Sequence, residues 1–123
     1  MKVLVVDDEP DIRMVAQVGL TAAGMNVVMA AGGLEGVFRA REEQPDVIVL
    51  DVMMPGMDGY ATLAALRKDP DTANIPVVLL TAKTLSNKDE QLRGQGVVDI
   101  LTKPFLPREL AERIARIRKP LPE

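Results

Sequence analysis

Short apolar runs alternate with amphipathic segments along the whole chain. Five runs are almost entirely apolar and rich in β-branched residues, as in strands buried on both faces of a parallel sheet. These predicted strands cover residues 2–6, 27–30, 47–50, 76–80 and 98–101. The segments that follow them have helical spacing, and we predict helices at residues 12–23, 34–41, 60–67, 87–95 and 107–118. Gly24 is expected to end the first helix and Asp58 to cap the third.

Five successive strand–helix units predict an α/β fold of three layers, in which a parallel sheet carries helices on both faces. A length of 123 residues suits a single domain. We expect this domain to occupy residues 1–118, and the proline-containing residues 119–123 to form a tail or the start of a linker.

The composition narrows the possible chemistry. The chain has no cysteine and no histidine, which excludes disulfides, thiolate metal sites, a serine–histidine dyad and a phosphohistidine on this chain. A net charge of −3 and only three aromatic residues argue against nucleic-acid binding. No apolar run approaches the length of a signal peptide or a membrane span, so we expect a cytoplasmic protein without membrane contacts.

The strand ends share a chemical theme. The first strand is followed by Asp7 and Asp8, the third by Asp51, the fourth by Thr81, and the fifth shortly afterwards by Lys103. In an open parallel sheet these ends meet at one edge, and ligands bind there. Taken singly, each residue has an ordinary structural interpretation, such as a strand-end threonine or a solvated lysine.

Taken together, these residues indicate a site for a cation and a phosphoryl group. Considered alone, Asp8 and Glu9, which precede Pro10, could simply cap the first helix and interact favourably with the positive end of its dipole. Three clustered acids would nevertheless repel one another and raise one another's pKa, and a hard cation such as Mg²⁺ relieves that repulsion. A carboxylate can then attack phosphorus to form an aspartyl phosphate, while an ammonium and a hydroxyl neutralise the transferred group.

Four motifs carry a resemblance to a known family. VLVVDDEP, DVMMPGMDG, LLTA and LTKPF closely resemble, in order and spacing, the receiver domains of bacterial two-component response regulators, the CheY-like family. The resemblance covers essentially the whole chain. It implies a flavodoxin-like sheet of strand order 2-1-3-4-5 with five helices. It also implies a phosphorylation-dependent switch rather than a separate enzyme, since such a domain catalyses only its own phosphorylation and dephosphorylation.

The resemblance assigns the roles of the acidic residues. Asp51 would accept the phosphoryl group from a phosphohistidine on a sensor histidine kinase or a phosphotransfer protein. Asp8, Asp51 and the backbone carbonyl of Met53 would ligate Mg²⁺, or Mn²⁺ in its place, and Asp7 would act through a bound water. The phosphorylated domain would then control a downstream effector or an output domain.

The resemblance also assigns the groups that bind the phosphoryl oxygens. Lys103 would pair with the phosphoryl group, and the Thr81 hydroxyl would sense it. The backbone amides of Val52 and Ala82 would complete the cradle. The bond between Lys103 and Pro104 is expected to be cis, which is otherwise a minority state.

Three positions bear on how such a switch behaves. The family usually has Tyr or Phe three residues before the lysine, where this chain has Ile100. We therefore expect that output depends on backbone movement of the fourth predicted helix and its flanking loops, or that output is weak. The alternative is that Ile100 is ordinary core packing. Met53 and Lys83 occupy the variable positions that tune phosphoryl lifetime. Neither offers a carboxylate or amide to orient an attacking water, so we expect slow self-dephosphorylation.

Other interpretations remain open at the level of sequence. Receivers of the OmpR type pair through the fourth helix, the fifth strand and the last helix, and a phosphorylation-dependent homodimer here could use Lys88, Asp99, Glu109 and Arg113. Haloacid-dehalogenase-like enzymes also place a nucleophilic aspartate after a strand, but they normally have a second acid at the position of Met53. A flavodoxin-like cofactor binder is opposed by the shortage of aromatic residues and by the acidic cluster.

Overall fold

A computed structural model describes residues 1–82 and 91–118 of the chain. Its elements in chain order are β1 (Lys2–Val6), α1 (Pro10–Ala22), β2 (Asn26–Ala30), α2 (Gly33–Glu43), β3 (Val47–Asp51), α3 (Gly59–Lys68), β4 (Val77–Thr81), a 3-10 helix (Leu92–Gln95), β5 (Val97–Thr102) and α4 (Pro107–Arg118). The predicted boundaries of the five strands and of these four α-helices agree with the structure to within one or two residues.

The five strands form one parallel sheet of order β2-β1-β3-β4-β5. This order confirms the expected flavodoxin-like topology. Every residue of β3 and β4 is buried, because both faces of these inner strands are covered. The near-continuous apolar composition of the runs is therefore explained by burial on both faces.

Alternate residues of each strand supply two separate cores. On one face, Leu4, Ile48, Leu50 and Leu79 pack with Leu63 and Leu66 of α3 and Ala40 of α2. On the other face, Val3, Val49 and Leu80 pack with Ala16 and Leu20 of α1 and with Leu110 and Ile114 of α4. The result is the expected sandwich of three layers, in which the sheet lies between two pairs of helices.

The described residues contain four complete α-helices, one fewer than the five predicted, because the predicted helix at residues 87–95 lies partly outside the described residues. Its described end consists of Gln91, which is α-helical, and the 3-10 helix Leu92–Gln95, followed by Gly96 with a positive φ of 86°. No described helix has the length and apolar character needed to cross a bilayer.

Candidate functional site

The carboxyl edge of the sheet brings the predicted acids together. Asp7 follows β1 directly and Asp51 is the last residue of β3, the strand beside it. One carboxylate oxygen from each of Asp7, Asp8 and Asp51 lies within 4.8 Å of the others. Asp7 and Asp51 are almost completely buried, at 0% and 1% exposure. The two inner acids are thus held close to each other and away from bulk water.

The backbone after β3 fixes where Asp51 points. The Val52 amide donates to the Leu80 carbonyl at 2.9 Å, and the Gly59 amide donates to the Val52 carbonyl at 2.9 Å. A Cβ at Gly59 would overlap the Asp51 carbonyl oxygen and lie 2.7 Å from Val52 Cα, so only glycine allows this approach. Asp58 then caps α3 by accepting from the Ala61 amide at 2.9 Å, as expected. The loop that follows Asp51 is therefore pinned at both ends.

Asp7 is fixed by backbone groups on both sides. Its amide donates to the Ala30 carbonyl at 3.1 Å, and its Oδ1 accepts from the Glu9 amide at 2.9 Å. Arg13 Nη1 donates to the Asp7 carbonyl at 2.8 Å. These bonds set the position of the carboxylate before any ligand binds.

Lys103 is the positive centre of the site. Its Nζ lies 2.9 Å from Asp7 Oδ2, 3.1 Å from Asp51 Oδ1 and 3.1 Å from Glu9 Oε1. The Lys103 amide donates to the Thr81 carbonyl at 2.7 Å, which ties this segment to the end of β4. The peptide bond to Pro104 is cis, as the resemblance led us to expect.

The Lys103 ammonium does not fully offset the cost of the buried negative charge on Asp51. Burial and the neighbouring Asp7 carboxylate raise the pKa of Asp51 to about 6, although its contacts with Lys103 act in the opposite direction. Burial opposes the charge of Lys103 as well, but its bonds with Asp7 and Asp51 outweigh that effect and raise its pKa. Asp51 Oδ2 is buried and has no hydrogen-bond partner among the described residues.

The donor set fits a hard divalent cation. Carboxylate oxygens are the ligands that Mg²⁺ and Mn²⁺ accept, and Mg²⁺ completes its shell with water. Here three carboxylates converge, and a buried oxygen of Asp51 has no hydrogen-bond partner among the described residues. Burial and the Asp7 carboxylate raise the pKa of Asp51, and a bound cation would favour its charged form. Asp8 is the most exposed of the three acids and gives solvent access to the cluster.

The other predicted site residues lie around this cluster. Thr81 is 5% exposed at the end of β4, and Ala82 follows it at the surface. Ile100 is 9% exposed on β5, where it is the register partner of Leu79 and packs in the core. Met53 is 66% exposed beside the acceptor. Lys83 and Lys88 lie outside the described residues.

The two amides that follow Asp51 have different partners. The Val52 amide donates to the Leu80 carbonyl at 2.9 Å, so its part in a phosphoryl cradle stays a prediction. The Met53 amide, which the sequence did not single out, lies 3.4 Å from Asp51 Oδ1.

Sequence reasoning also missed the role of Glu9. This residue is the N-cap of α1, but its side chain makes no capping bond and contacts Lys103 instead. The available signal was the residue type, because glutamate is not among the favoured N-cap residues.

A comparison with protein families is decisive. A family model described as the response regulator receiver domain matches residues 3–115. The chain belongs to the response regulator receiver family. The resemblance inferred from the four motifs is thereby confirmed, and the acidic cluster lies at the carboxyl edge of a receiver domain.

Individual relatives agree with this assignment. The probable transcriptional regulator ycf27 of Porphyra purpurea is 42% identical over 118 residues, which are 94% of this chain and 46% of that protein. The DNA-binding dual master transcriptional regulator RpaA of Synechocystis sp. is 40% identical over 119 residues, or 95% of this chain and 47% of that protein. The receiver chain thus spans about half the length of these curated relatives.

A solved structure shows the same fold. The chemotaxis protein CheY4 of Vibrio cholerae superposes with a TM-score of 0.87 at 35% identity, over 94% of this chain and 97% of that one.

Proposed function

We propose that this receiver domain is a phosphorylation-dependent switch that accepts a phosphoryl group on Asp51 in a reaction that requires Mg²⁺. The observation that carries the proposal is the convergence of two further carboxylates and one ammonium on a buried aspartate, one of whose oxygens has no hydrogen-bond partner among the described residues. The donor would be a phosphohistidine on a sensor histidine kinase or on a phosphotransfer protein, since this chain has no histidine of its own.

Asp51 is the nucleophile. Its Oδ1 is paired with Lys103, so Oδ2 is the oxygen that attacks phosphorus. The new bond joins Oδ2 to phosphorus, the phosphorus–nitrogen bond of the donor breaks, and the leaving imidazole nitrogen takes up a proton from solvent. The pKa of Asp51 is about 6, so its carboxylate is ionised above about pH 6 and no protein base is needed.

Asp8, Asp51 and the Met53 carbonyl would hold the cation, and Asp7 would act through a bound water. When bound, Mg²⁺ or Mn²⁺ supplies positive charge that offsets the oxygens of the transferred group. Asp7 has a second task, since it holds the Lys103 ammonium 2.9 Å away and beside Asp51.

The remaining residues bind and sense the phosphoryl group. Lys103 pairs with its oxygens, the Thr81 hydroxyl bonds to one of them, and the amides of Val52 and Ala82 complete the cradle, to which the neighbouring Met53 amide is added. These contacts favour one of two pre-existing conformations, which is the switch. Ile100 takes the place of the family's aromatic residue, so we expect backbone movement after β4 to transmit the signal.

The partners follow from this role. A sensor kinase or phosphotransfer protein supplies the phosphoryl group in the cytoplasm, and a downstream effector or an output domain receives the signal. The domain is not a separate enzyme, because it catalyses only its own phosphorylation and its dephosphorylation, which we expect to be slow. A homodimer through the fourth predicted helix, β5 and α4 is part of the proposal.

The test is intact mass after incubation with acetyl phosphate, with Mg²⁺ or with EDTA, for the wild type and Asp51→Asn. We expect the wild type to gain one phosphoryl group only with Mg²⁺, and Asp51→Asn to gain none. Modification of the variant would show that a different residue accepts the group. No modification of the wild type by acetyl phosphate or by any histidine kinase would refute the proposed function.

A further inference from the structure

The Lys103 ammonium is shared among three acids, which equals the number of its N–H donors. Two of these acids, Asp7 and Asp51, are buried at the carboxyl edge of the sheet. The third is Glu9, whose side chain is 59% exposed and whose Oε1 lies 3.1 Å from Nζ. The ammonium itself is held in a side chain that is only 11% exposed. A phosphoryl group on Asp51 therefore meets a lysine that already has three carboxylates within ion-pair distance and donates a hydrogen bond to Glu9.

The Glu9 side chain contacts Lys103 and leaves the first turn of α1 without a side-chain cap. It is the N-cap of α1, in an extended conformation with φ −89° and ψ 116°, and its side chain makes no capping bond. Serine, threonine, aspartate and asparagine are favoured there because their short side chains reach the free amides of the first turn. A residue that breaks a local rule and instead contacts a reactive group is expected at functional sites.

We infer that Glu9 is a positioning residue that holds the Lys103 ammonium in the unphosphorylated site and releases it when a phosphoryl group arrives on Asp51. This inference rests on the proposed function. Asp7 is a poor candidate for release, because it is fully buried and would be left without its cation. Glu9 can return to water, so its contact is the least costly of the three to exchange.

Glu9 and the phosphoryl group then compete for the same ammonium. Removing the charge of Glu9 should strengthen the binding of a phosphoryl analogue, because Lys103 no longer has to leave a partner. A partly exposed ion pair is worth about 0–1 kcal/mol, which corresponds to at most about a fivefold change in affinity.

The experiment measures the affinity of the full chain for beryllofluoride by calorimetry, with Mg²⁺ kept saturating for each variant. We expect Glu9→Gln to bind beryllofluoride about two- to fivefold more tightly than the wild type. Asp11→Asn is the matched control, since it removes the same charge from an exposed position two residues along. Among the described residues, the ion-pair partners of Lys103 are Asp7, Glu9 and Asp51, so Asp11→Asn should bind as the wild type does.

Glu9→Asp separates a contact from a general effect of charge. The shorter carboxylate keeps the charge at residue 9 but reaches the amides of the first turn as a cap, which draws it away from Lys103. If release of a direct contact matters, Glu9→Asp binds beryllofluoride more tightly, as Glu9→Gln does. If only the local field matters, Glu9→Asp behaves as the wild type, and the inference is overturned.

The outcomes also separate this inference from the proposed function. A wild type that binds beryllofluoride with Mg²⁺, together with a Glu9→Gln variant of equal or weaker affinity, overturns the role of Glu9 and leaves the switch intact. A wild type that binds no beryllofluoride and accepts no phosphoryl group refutes the proposed function, and the inference with it.

Discussion

At the scale of the residue, the burial of Asp51 at the carboxyl edge of the sheet lowers the stability of the fold. Burial and the Asp7 carboxylate raise its pKa from 3.8 to about 6, although Lys103 opposes them. A carboxyl whose pKa is raised in the fold binds its proton more tightly than it does in the unfolded chain. Between these two values the folded state therefore carries the extra proton, and the free energy of unfolding falls as pH rises. Above about pH 6 the full penalty is present.

Asp51→Asn should therefore stabilise the protein in the absence of a divalent cation. A change of about two units in pKa corresponds to on the order of 3 kcal/mol, which we expect as the upper limit of the gain in the free energy of unfolding near pH 7.5. The gain should shrink as pH is lowered towards 4, because protonation of Asp51 removes the same buried negative charge that the substitution removes. Urea denaturation in EDTA across this range of pH measures both effects.

Asp11→Asn serves as the control for this measurement as well, because it removes an exposed carboxylate of α1. We expect it to change stability by less than about 0.5 kcal/mol at any of these pH values. An Asp51→Asn variant that is no more stable than the wild type in EDTA would show that Lys103 fully compensates the buried charge.

The identity of the site residues was largely readable from sequence, but their contacts were not. Asp7, Asp51, Thr81 and Lys103 follow buried strands, and parallel topology alone brings such residues to one edge. The pairing of Glu9 with Lys103 joins residues 94 positions apart and depends on side-chain conformation. No pattern along the chain encodes such a contact, except that glutamate is unusual at an N-cap.

At the scale of the element, the fold was predictable where burial decides it. Strands covered on both faces must be apolar along their whole length, and a polar residue must follow at their ends, so their limits were correct to one residue. The polar stretch before β5 has a weaker apolar pattern, and its described part consists of the α-helical Gln91 and the 3-10 helix Leu92–Gln95, from which Leu92 packs against the core. Tertiary context rather than periodicity decides such segments.

The junction of β3 and α3 gives a prediction at this scale. Gly59→Ala should destabilise the fold by about 1–3 kcal/mol, because its Cβ would overlap the Asp51 carbonyl oxygen and the backbone of Val52. The same shift should displace the Asp51 carboxylate and slow modification by acetyl phosphate at a temperature where the variant is fully folded. Thermal denaturation followed by circular dichroism and intact mass measure the two effects.

Gly94→Ala is the matched control for this junction. A Cβ at Gly94 meets nothing within 4 Å, and the residue lies in the 3-10 helix away from the acids. We expect its stability and its phosphorylation to match those of the wild type. A Gly59→Ala variant that behaves in the same way would mean that the loop after β3 adjusts without moving Asp51.

At the scale of the whole molecule, three of the four charges named for a homodimer already pair within one chain, and the fourth, Lys88, lies outside the described residues. Arg113 Nη1 lies 2.9 Å from Asp99 Oδ1, and Arg113 Nη2 lies 3.9 Å from Glu109 Oε2. Exchange of these partly exposed pairs for equivalent pairs across a dimer brings little net free energy. Association through β5 and α4 would therefore have to draw on apolar contacts, and Val98 is 43% exposed on β5.

We therefore expect the phosphorylated domain to form a weak dimer that depends on Val98 more than on Arg113. Sedimentation velocity over a range of concentrations, with beryllofluoride and Mg²⁺, should show a rising weight-average coefficient for the wild type and for Arg113→Ala. Val98→Asp should stay monomeric, because it would place an unpaired carboxylate in the contact.

Leu34→Asp adds the same charge at an apolar position of α2 that is 78% exposed, and it should dimerise as the wild type does. A wild type that remains monomeric at every concentration would remove the homodimer from the proposal, and the output would then depend on a different partner.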